Sequence, residues 1–253
     1  MAIDSGQIWT SGDERPSAAV AYGANGMVAS ASPSAAAVGL GVLQRGGNAF
    51  DAALAVAGVE WFNLPASCGL GGDIFAVFYD ANNDRIGALN GSGEVARRAS
   101  RDYYVSQGYG TMPLAGWHAA AVPGAAHGYL TLHRELATMP LADLWAPALR
   151  YAREGVAVTD KIHRVIAGSA DKLGQFPDSA EVYLPGGAAP KVGSRWRNPG
   201  LARTIEAVIE GGADAFYRGE IAKEMVPRPR PGAVCSGSTS SPSSAPSCTT
   251  RSA

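Results

Sequence analysis

Chemistry in this chain would have to come from few residues. The four histidines, His118, His127, His133 and His163, form no HxxxH, HExxH or His/Cys cluster. His127 and His133 are six apart, which places them on different faces of a helix. They read as structural or surface histidines, and no metal is expected. The three cysteines, Cys68, Cys235 and Cys248, are widely spaced and odd in number, with no disulfide framework or zinc pattern. Cys68 has no basic neighbour in sequence to lower its pKa, so it reads as part of a packed loop. No GxSxG nucleophile elbow exists; Gly91-Ser92-Gly93 lacks the surrounding pattern. Asp80 and Asp84 sit in a turn and read as solvated carboxylates rather than a glycosidase pair. Gly69-Leu70-Gly71-Gly72 lacks GxGxxG spacing and a following helix, and GxxxxGK[ST] does not occur. No cofactor is expected, and the local reading of that loop is a sharp turn needing glycine dihedrals.

The elements that would carry these residues follow from periodicity and punctuation. Ala18 to Ala29 has strand character. Ser32-Pro33 opens a helix, with Ser as N-cap and Pro at the first helical position, and Gly46-Gly47 stops it. Asn48 caps a second, alanine-rich helix with Asp51 three residues on, a capping box with a shorter acid. Its small apolar surface on most sides argues burial. Ile74 to Tyr79 is a strand, Asn82-Asn83-Asp84 a hairpin turn, and Arg85 to Asn90 the returning strand. Ser100 caps a short helix, and Trp117 to Val122 reads as a third strand. Helices are expected over Ala125–Leu136, Leu141–Arg153 (interrupted by Pro147), Asp160–Leu173 and Leu201–Glu210.

A length of 253 residues, 46% hydrophobic and 17% charged, fits a globular protein with ample core. The net charge of -1 gives no electrostatic case for nucleic acid. No apolar run approaches a membrane span, and Met1 to Val20 has neither a basic n-region nor an apolar h-region. Cytoplasm is therefore the default expectation. Met1 to Ser17 reads as a loose arm and residues 18–226 as the folded region. Residues 227–253 form a tail with five Pro and eight Ser, lacking Leu, Ile, Phe, Asp and Glu. Such a tail cannot bury enough apolar surface to offset its ordering entropy. Its abrupt start reads as a reading-frame error or shortened gene, with a native low-complexity tail as the alternative.

Six blocks then occur in order: GMVAS, LQRGGNAFDAALA, GLGGDIFAVFYD, AAAVPGAAHGY, LADLWAPALRYAREGVAV and ADAFYRGEIAKEMV. Each alone is soft, but their collinear order resembles the γ-glutamyltransferase family of N-terminal-nucleophile hydrolases. The resemblance covers roughly Gly26 to Val226 and corresponds to the large-subunit part. It implies an α+β fold, helix-rich here, that is part of an αββα sandwich. It also implies a small-molecule amide substrate and a Thr-led small subunit made from the same precursor. The freed threonine would attack the amide carbonyl, with its own α-amino group as base, to form an acyl-enzyme. Thr249-Thr250 lies too early and too close to the end to be that nucleophile, so no catalytic residue is expected in this chain and none of its activity alone. Glycines like those of Gly69–Gly72 lie close to the active cleft in the family.

One departure bears on substrate. Relatives that act on glutathione place an arginine shortly after the second strand, where it grips the substrate α-carboxylate. Here the matching stretch is Ala88-Leu89-Asn90-Gly91-Ser92-Gly93-Glu94, and Ser92 falls at the arginine's place. Arg97, Arg98 and Arg101 are several residues off and read as a solvated helix start. NGSG resembles instead the γ-glutamyltransferase-like amidohydrolases, including oxamate amidohydrolase, and makes Asn90 and Ser92 the implied substrate-binding residues. A non-catalytic small-molecule-binding or assembly subunit is the alternative, and half a sandwich would leave an apolar face uncovered.

Overall fold

The computed structural model describes residues 21–97 and 99–225. The arm 1–17, the tail 227–253 with Cys235, Cys248, Thr249 and Thr250, and Arg98 lie outside the described residues.

Helices α1 (Pro33–Gln44) and α2 (Ala49–Asn63) form an antiparallel pair joined at Arg45–Asn48. Pro33 occupies the first turn of α1 as expected. The Ser32 hydroxyl does not cap that helix but accepts from Asn63 Nδ2 at 2.8 Å. Gly46 takes φ 89° and reverses the chain. The capping box of α2 forms in full: Asn48 accepts from Phe50 N and Asp51 N, and Asp51 accepts from Asn48 N.

Strands β1 (Ile74–Asp80) and β2 (Arg85–Gly91) make an antiparallel hairpin, in register from Ile74↔Gly91 to Asp80↔Arg85. Asp84 closes its turn at φ 46°, a conformation that Asp tolerates better than most residues. Alternation along the hairpin sends Ile74, Ala76, Phe78 and Leu89 against the core, with Phe78 edge-on to Phe50 at 5.3 Å. The opposite face carries Phe75, Val77, Tyr79 and Ile86, all more than half exposed.

After α3 (Arg101–Ser106), capped by Ser100, come α4 (Ala125–Leu136) and α5 (Leu141–Glu154). A short ribbon pairs β3 (Val156–Ala157) with β4 (Arg195–Trp196). Between its strands lie α6 (Asp160–Gly168), α7 (Ala170–Gly174) and α8 (Pro177–Tyr183); α9 (Pro199–Tyr217) and α10 (Glu220–Met225) close the described chain. α2 is the central helix, flanked by α1 and α5, and α9 packs on α5 and α4. Small residues permit this closeness: a Cβ on Gly58 would lie 3.0 Å from that of Ala148 and 3.3 Å from the Trp145 ring. Trp61, Tyr129 and Trp145 meet edge-to-face in the centre, each such pair contributing about 0.5–1.5 kcal/mol beyond its buried area.

Helices against one face of a small sheet make this an α+β fold. Several sequence expectations change. Residues 21–29 of the first expected strand join no ladder. Trp117–Val122 is a 3₁₀ turn over Trp117–Ala119 and then extended chain, with one backbone bond from Val122 N to Glu94 O at 3.0 Å. Its alanine-rich sequence and the following Pro123 give little to a β ladder. The helix expected over Asp160–Leu173 breaks at Ser169, while the helix expected over Leu201–Glu210 begins at Pro199, kinks at Gly212 (φ 58°) just past its expected end, and is followed by a further helical stretch to Tyr217. α5 continues through Pro147.

Candidate functional site

Three segments converge at the open end of the hairpin: Gly72-Asp73 before β1, Asn90–Glu94 leaving β2, and Val122–Ala125 entering α4. Gly72 O accepts from Gly124 N at 3.1 Å and Ala125 N at 2.8 Å. Asp73 Oδ1 accepts from Gly93 N at 2.8 Å. The backbones touch at distances that only glycine permits. A Cβ on Gly93 would lie 1.7 Å from Val122 O, and one on Gly124 would lie 2.3 Å from Gly91 O.

This joint fixes Asn90 and Ser92. Asn90 pairs with Phe75 in the register and falls on the exposed side of the hairpin, in phase with Ile86 and Ala88. Its Oδ1 accepts from Ser92 N at 3.0 Å, an Asx turn that ends the strand. Both residues are exposed. Among the described residues neither Asn90 Nδ2 nor the Ser92 hydroxyl has a hydrogen-bond partner, so their donors face solvent. Together they offer neutral donors and acceptors, suited to an amide or carboxyl oxygen. Arg97 and Arg101 are also exposed, with no ion pair among the described residues.

Gly69, Gly71 and Gly72 depart from the local expectation. None has a positive φ, and a Cβ on any of them would meet nothing closer than 3.8 Å. The turn does not need their freedom. Buried Leu70 anchors the loop, while Gly71 and Gly72 present bare backbone to solvent beside Asp73.

The remaining sequence candidates have structural roles. A ring nitrogen of His133 bonds Met139 O at 3.0 Å, and His163 Nδ1 bonds Pro190 O at 2.9 Å. His118 lies among the rings of Tyr103, Tyr104 and Tyr109. No group of metal-ligating side chains occurs among the described residues. Burial pushes the Cys68 thiol up, Glu60 adds to this and Lys161 opposes it, so the thiol is a poor nucleophile. Asp80 accepts from Asn83 Nδ2 at 2.6 Å and Asn82 N at 3.1 Å, while Asp84 accepts from Tyr79 Oη at 2.8 Å. The bond from Asn83 is the main reason Asp80 is held below its ordinary pKa, and burial works against it. Each carboxylate serves its turn, and they do not form a catalytic pair.

Two contributors carried no usable sequence signal. Tyr217 of α9 donates to Pro123 O at 2.7 Å and accepts from His127 N at 3.0 Å, which holds the start of α4 against the joint. Asp73 is adjacent to the glycine loop, but its partner lies 20 residues away.

A sequence profile described as gamma-glutamyltranspeptidase matches residues 35–232. The chain is 33% identical over 205 residues to a protein from Bacillus subtilis described as a glutathione hydrolase-like proenzyme, covering 81% of this chain and 39% of that protein. It is 34% identical over 192 residues to an oxamate amidohydrolase proenzyme from Klebsiella pneumoniae, covering 74% of this chain and 36% of that protein. A solved structure of cephalosporin acylase from Bacillus halodurans superposes with a TM-score of 0.79 at 33% identity, covering 88% of this chain and 42% of that one. The chain thus spans well under half the length of the curated relatives it matches.

Proposed function

The chain belongs to the gamma-glutamyltranspeptidase family, and we propose that it supplies the large-subunit wall of an amide-cleaving site whose nucleophile comes from a Thr-led companion. The three relatives favour this reaction class, since a glutathione hydrolase-like protein, an oxamate amidohydrolase and a cephalosporin acylase are all described by the cleavage of C–N acyl bonds. The companion's hydroxyl would attack the amide carbonyl and pass its proton to its own α-amine. The C–N bond then breaks, the protonated amine leaves, and water releases the acyl group. Residues of this chain bind and orient the substrate; none described here pairs a nucleophile with a base. The exposed apolar face of Phe75, Val77, Tyr79 and Ile86 gives the companion a surface to cover. The same lack of a nucleophile favours the alternative, a subunit that binds a small molecule without turnover.

The observation that carries the substrate reading is the rim itself. Asn90 and Ser92 present open, uncharged donors, and the segment Asn90–Glu94 leaving β2 contains no arginine. A buried charge partner for a substrate carboxylate is worth about 2–5 kcal/mol, so its absence disfavours γ-glutamyl substrates. We infer an amide smaller than, or charged differently from, a γ-glutamyl substrate; oxamate, which carries its own carboxylate beside the amide, is the small probe. The test is to co-express the chain with a Thr-led companion and assay oxamate and a γ-glutamyl anilide. Oxamate turnover that fails with Asn90→Ala or Ser92→Ala supports the reading. Efficient anilide turnover, lost with those same substitutions, overturns the substrate assignment. Amide cleavage by this chain alone overturns the division of labour. Tight binding of oxamate by the chain alone, with no turnover when the companion is added, favours the alternative.

A further inference from the structure

A cavity lies where the C-terminal end of α5 meets the β3–β4 ribbon, built from elements other than those carrying Asn90 and Ser92. Its volume is about 330 Å³, and Arg150, Glu154, Gly155, Ser194 and Arg195 are among the residues that line it. Its origin is local. Arg150 stands one helical turn before Glu154 on α5. In β4 and the residue after it, Arg195 and Arg197 alternate around buried Trp196, which places both on the same side of the ribbon. Gly155, at φ 94°, lets them close over the helix end: a Cβ there would lie 2.5 Å from Arg195 Cγ and 2.9 Å from Arg197 Cγ.

The guanidinium donors are largely unspent. Arg195 Nη1 and Arg197 Nε each donate to Glu154 O, at 3.4 and 3.2 Å, covering an orphan carbonyl at the end of α5. Each arginine has five N–H donors, so most remain. Arg150 donates to nothing among the described residues. Neither lining arginine, Arg150 or Arg195, has an ion pair among those residues, and Arg197 beside the cavity has none either, whereas neighbouring Arg153 pairs with Glu206. The Glu154 carboxylate is the single negative group in the lining. With Arg150 and Arg195 against Glu154 alone, the lining carries a net positive charge on a chain of net charge -1.

We propose that this cavity binds a small oxyanion carrying two or more negative charges, either a phosphate group or a compact polycarboxylate. The guanidinium fork matches both in geometry and charge. The negative end of the α5 dipole opposes an anion, but its last carbonyl is already covered by two arginine bonds. Glu154 weakens binding and sets it in a range that responds to ligand concentration.

The experiment is isothermal titration of the full chain with inorganic phosphate and, separately, citrate, at fixed ionic strength with chloride as control. Saturable binding at about millimolar concentration or tighter is expected for at least one anion, and the tighter one identifies the source. The double variant Arg150→Ala/Arg195→Ala weakens it by about tenfold or more, and Glu154→Gln tightens it. Arg134→Ala, at an exposed arginine paired with Glu135 elsewhere, leaves it unchanged. Arg195→Lys keeps the charge and loses the fork, so it weakens binding without disturbing the fold. No saturable binding of either anion overturns the proposal. So does wild-type affinity in the double variant, or an equal loss with Arg134→Ala.

Discussion

Replacing Asp51 with Asn tests whether the Gly-Gly-Asn-Ala-Phe-Asp joint is a structural knot. Asp51 is fully buried. Its Oδ2 accepts from Asn48 N at 2.8 Å and Thr138 Oγ1 at 2.6 Å, and its Oδ1 accepts from Thr138 N at 2.9 Å and Met139 N at 3.0 Å. The carboxylate thus ties the start of α2 to the α4–α5 connection. Asparagine keeps one acceptor oxygen. Placed toward Thr138 N and Met139 N, it leaves an NH₂ group facing Asn48 N–H and the Thr138 hydroxyl. The hydroxyl can rotate to accept; the Asn48 N–H cannot. A hydrogen bond to a charged group is worth about 1.5–3 kcal/mol, and an orphaned buried donor costs about 1–3 kcal/mol. With the surviving bonds reduced to neutral ones, the loss is about 3–5 kcal/mol, a large share of a typical domain's 5–15 kcal/mol. Urea unfolding followed by circular dichroism reads this as a midpoint lowered by roughly 1–2 M. The pH dependence is a second check. Burial raises the Asp51 pKa, but the bonds from Thr138, Met139 and Asn48 outweigh it and hold the folded value below the ordinary one. A depressed folded pKa gives stability that is present above the unfolded value of about 3.9 and lost as pH falls through the folded one. The gap between wild type and D51N therefore narrows below about pH 4. A loss under about 1 kcal/mol, or a gap unchanged from pH 6 to pH 3, refutes the reasoning.

Gly124→Ala forces a methyl group against Gly91 O, a backbone atom that cannot yield; it destabilises by about 1–3 kcal/mol and speeds amide exchange at Ser92 and Gly93. Wild-type exchange there would show that the joint does not hold the rim. Tyr217→Phe removes the bonds to Pro123 O and His127 N and costs about 1–3 kcal/mol by thermal melting. Burial raises the Tyr217 phenol, with the His127 N–H opposing, so the wild type's advantage shrinks as pH rises past about 10. Val77→Lys with Ile86→Lys on the uncovered hairpin face reduces self-association of the isolated chain in light scattering and blocks capture by a Thr-led companion. Assembly undiminished by these charges would place the companion elsewhere.

The local grammar of the chain was legible because its signals act over a few residues. Asn48 and Asp51 are three apart, and the capping box formed as read. The short apolar run Ile74–Tyr79 and the Asn-Asn-Asp turn pointed to the hairpin, and Ser100 to the start of α3. The collinear blocks gave the family. Where local signals had no tertiary support, they failed: residues 21–29 and Ala120–Val122 found no ladder, since a strand is defined by its neighbours. Residue type alone suggested that Gly69–Gly72 needed left-handed dihedrals, and the backbone there does not use them.

What the sequence determined by itself was the identity of the helices and the hairpin, and the presence of two uncharged residues, Asn90 and Ser92, at the end of the second strand. Only the tertiary structure decided what holds them. Asp51 finds Thr138 and Met139 from 87 and 88 residues away, Asp73 finds Gly93, Tyr217 finds Pro123, and Arg195 and Arg197 reach Glu154 O at the end of α5. The physical reason is reach. Propensity, capping and periodicity act through the backbone over a turn or two, whereas these partners are chosen by how packed elements bring distant segments within hydrogen-bonding distance.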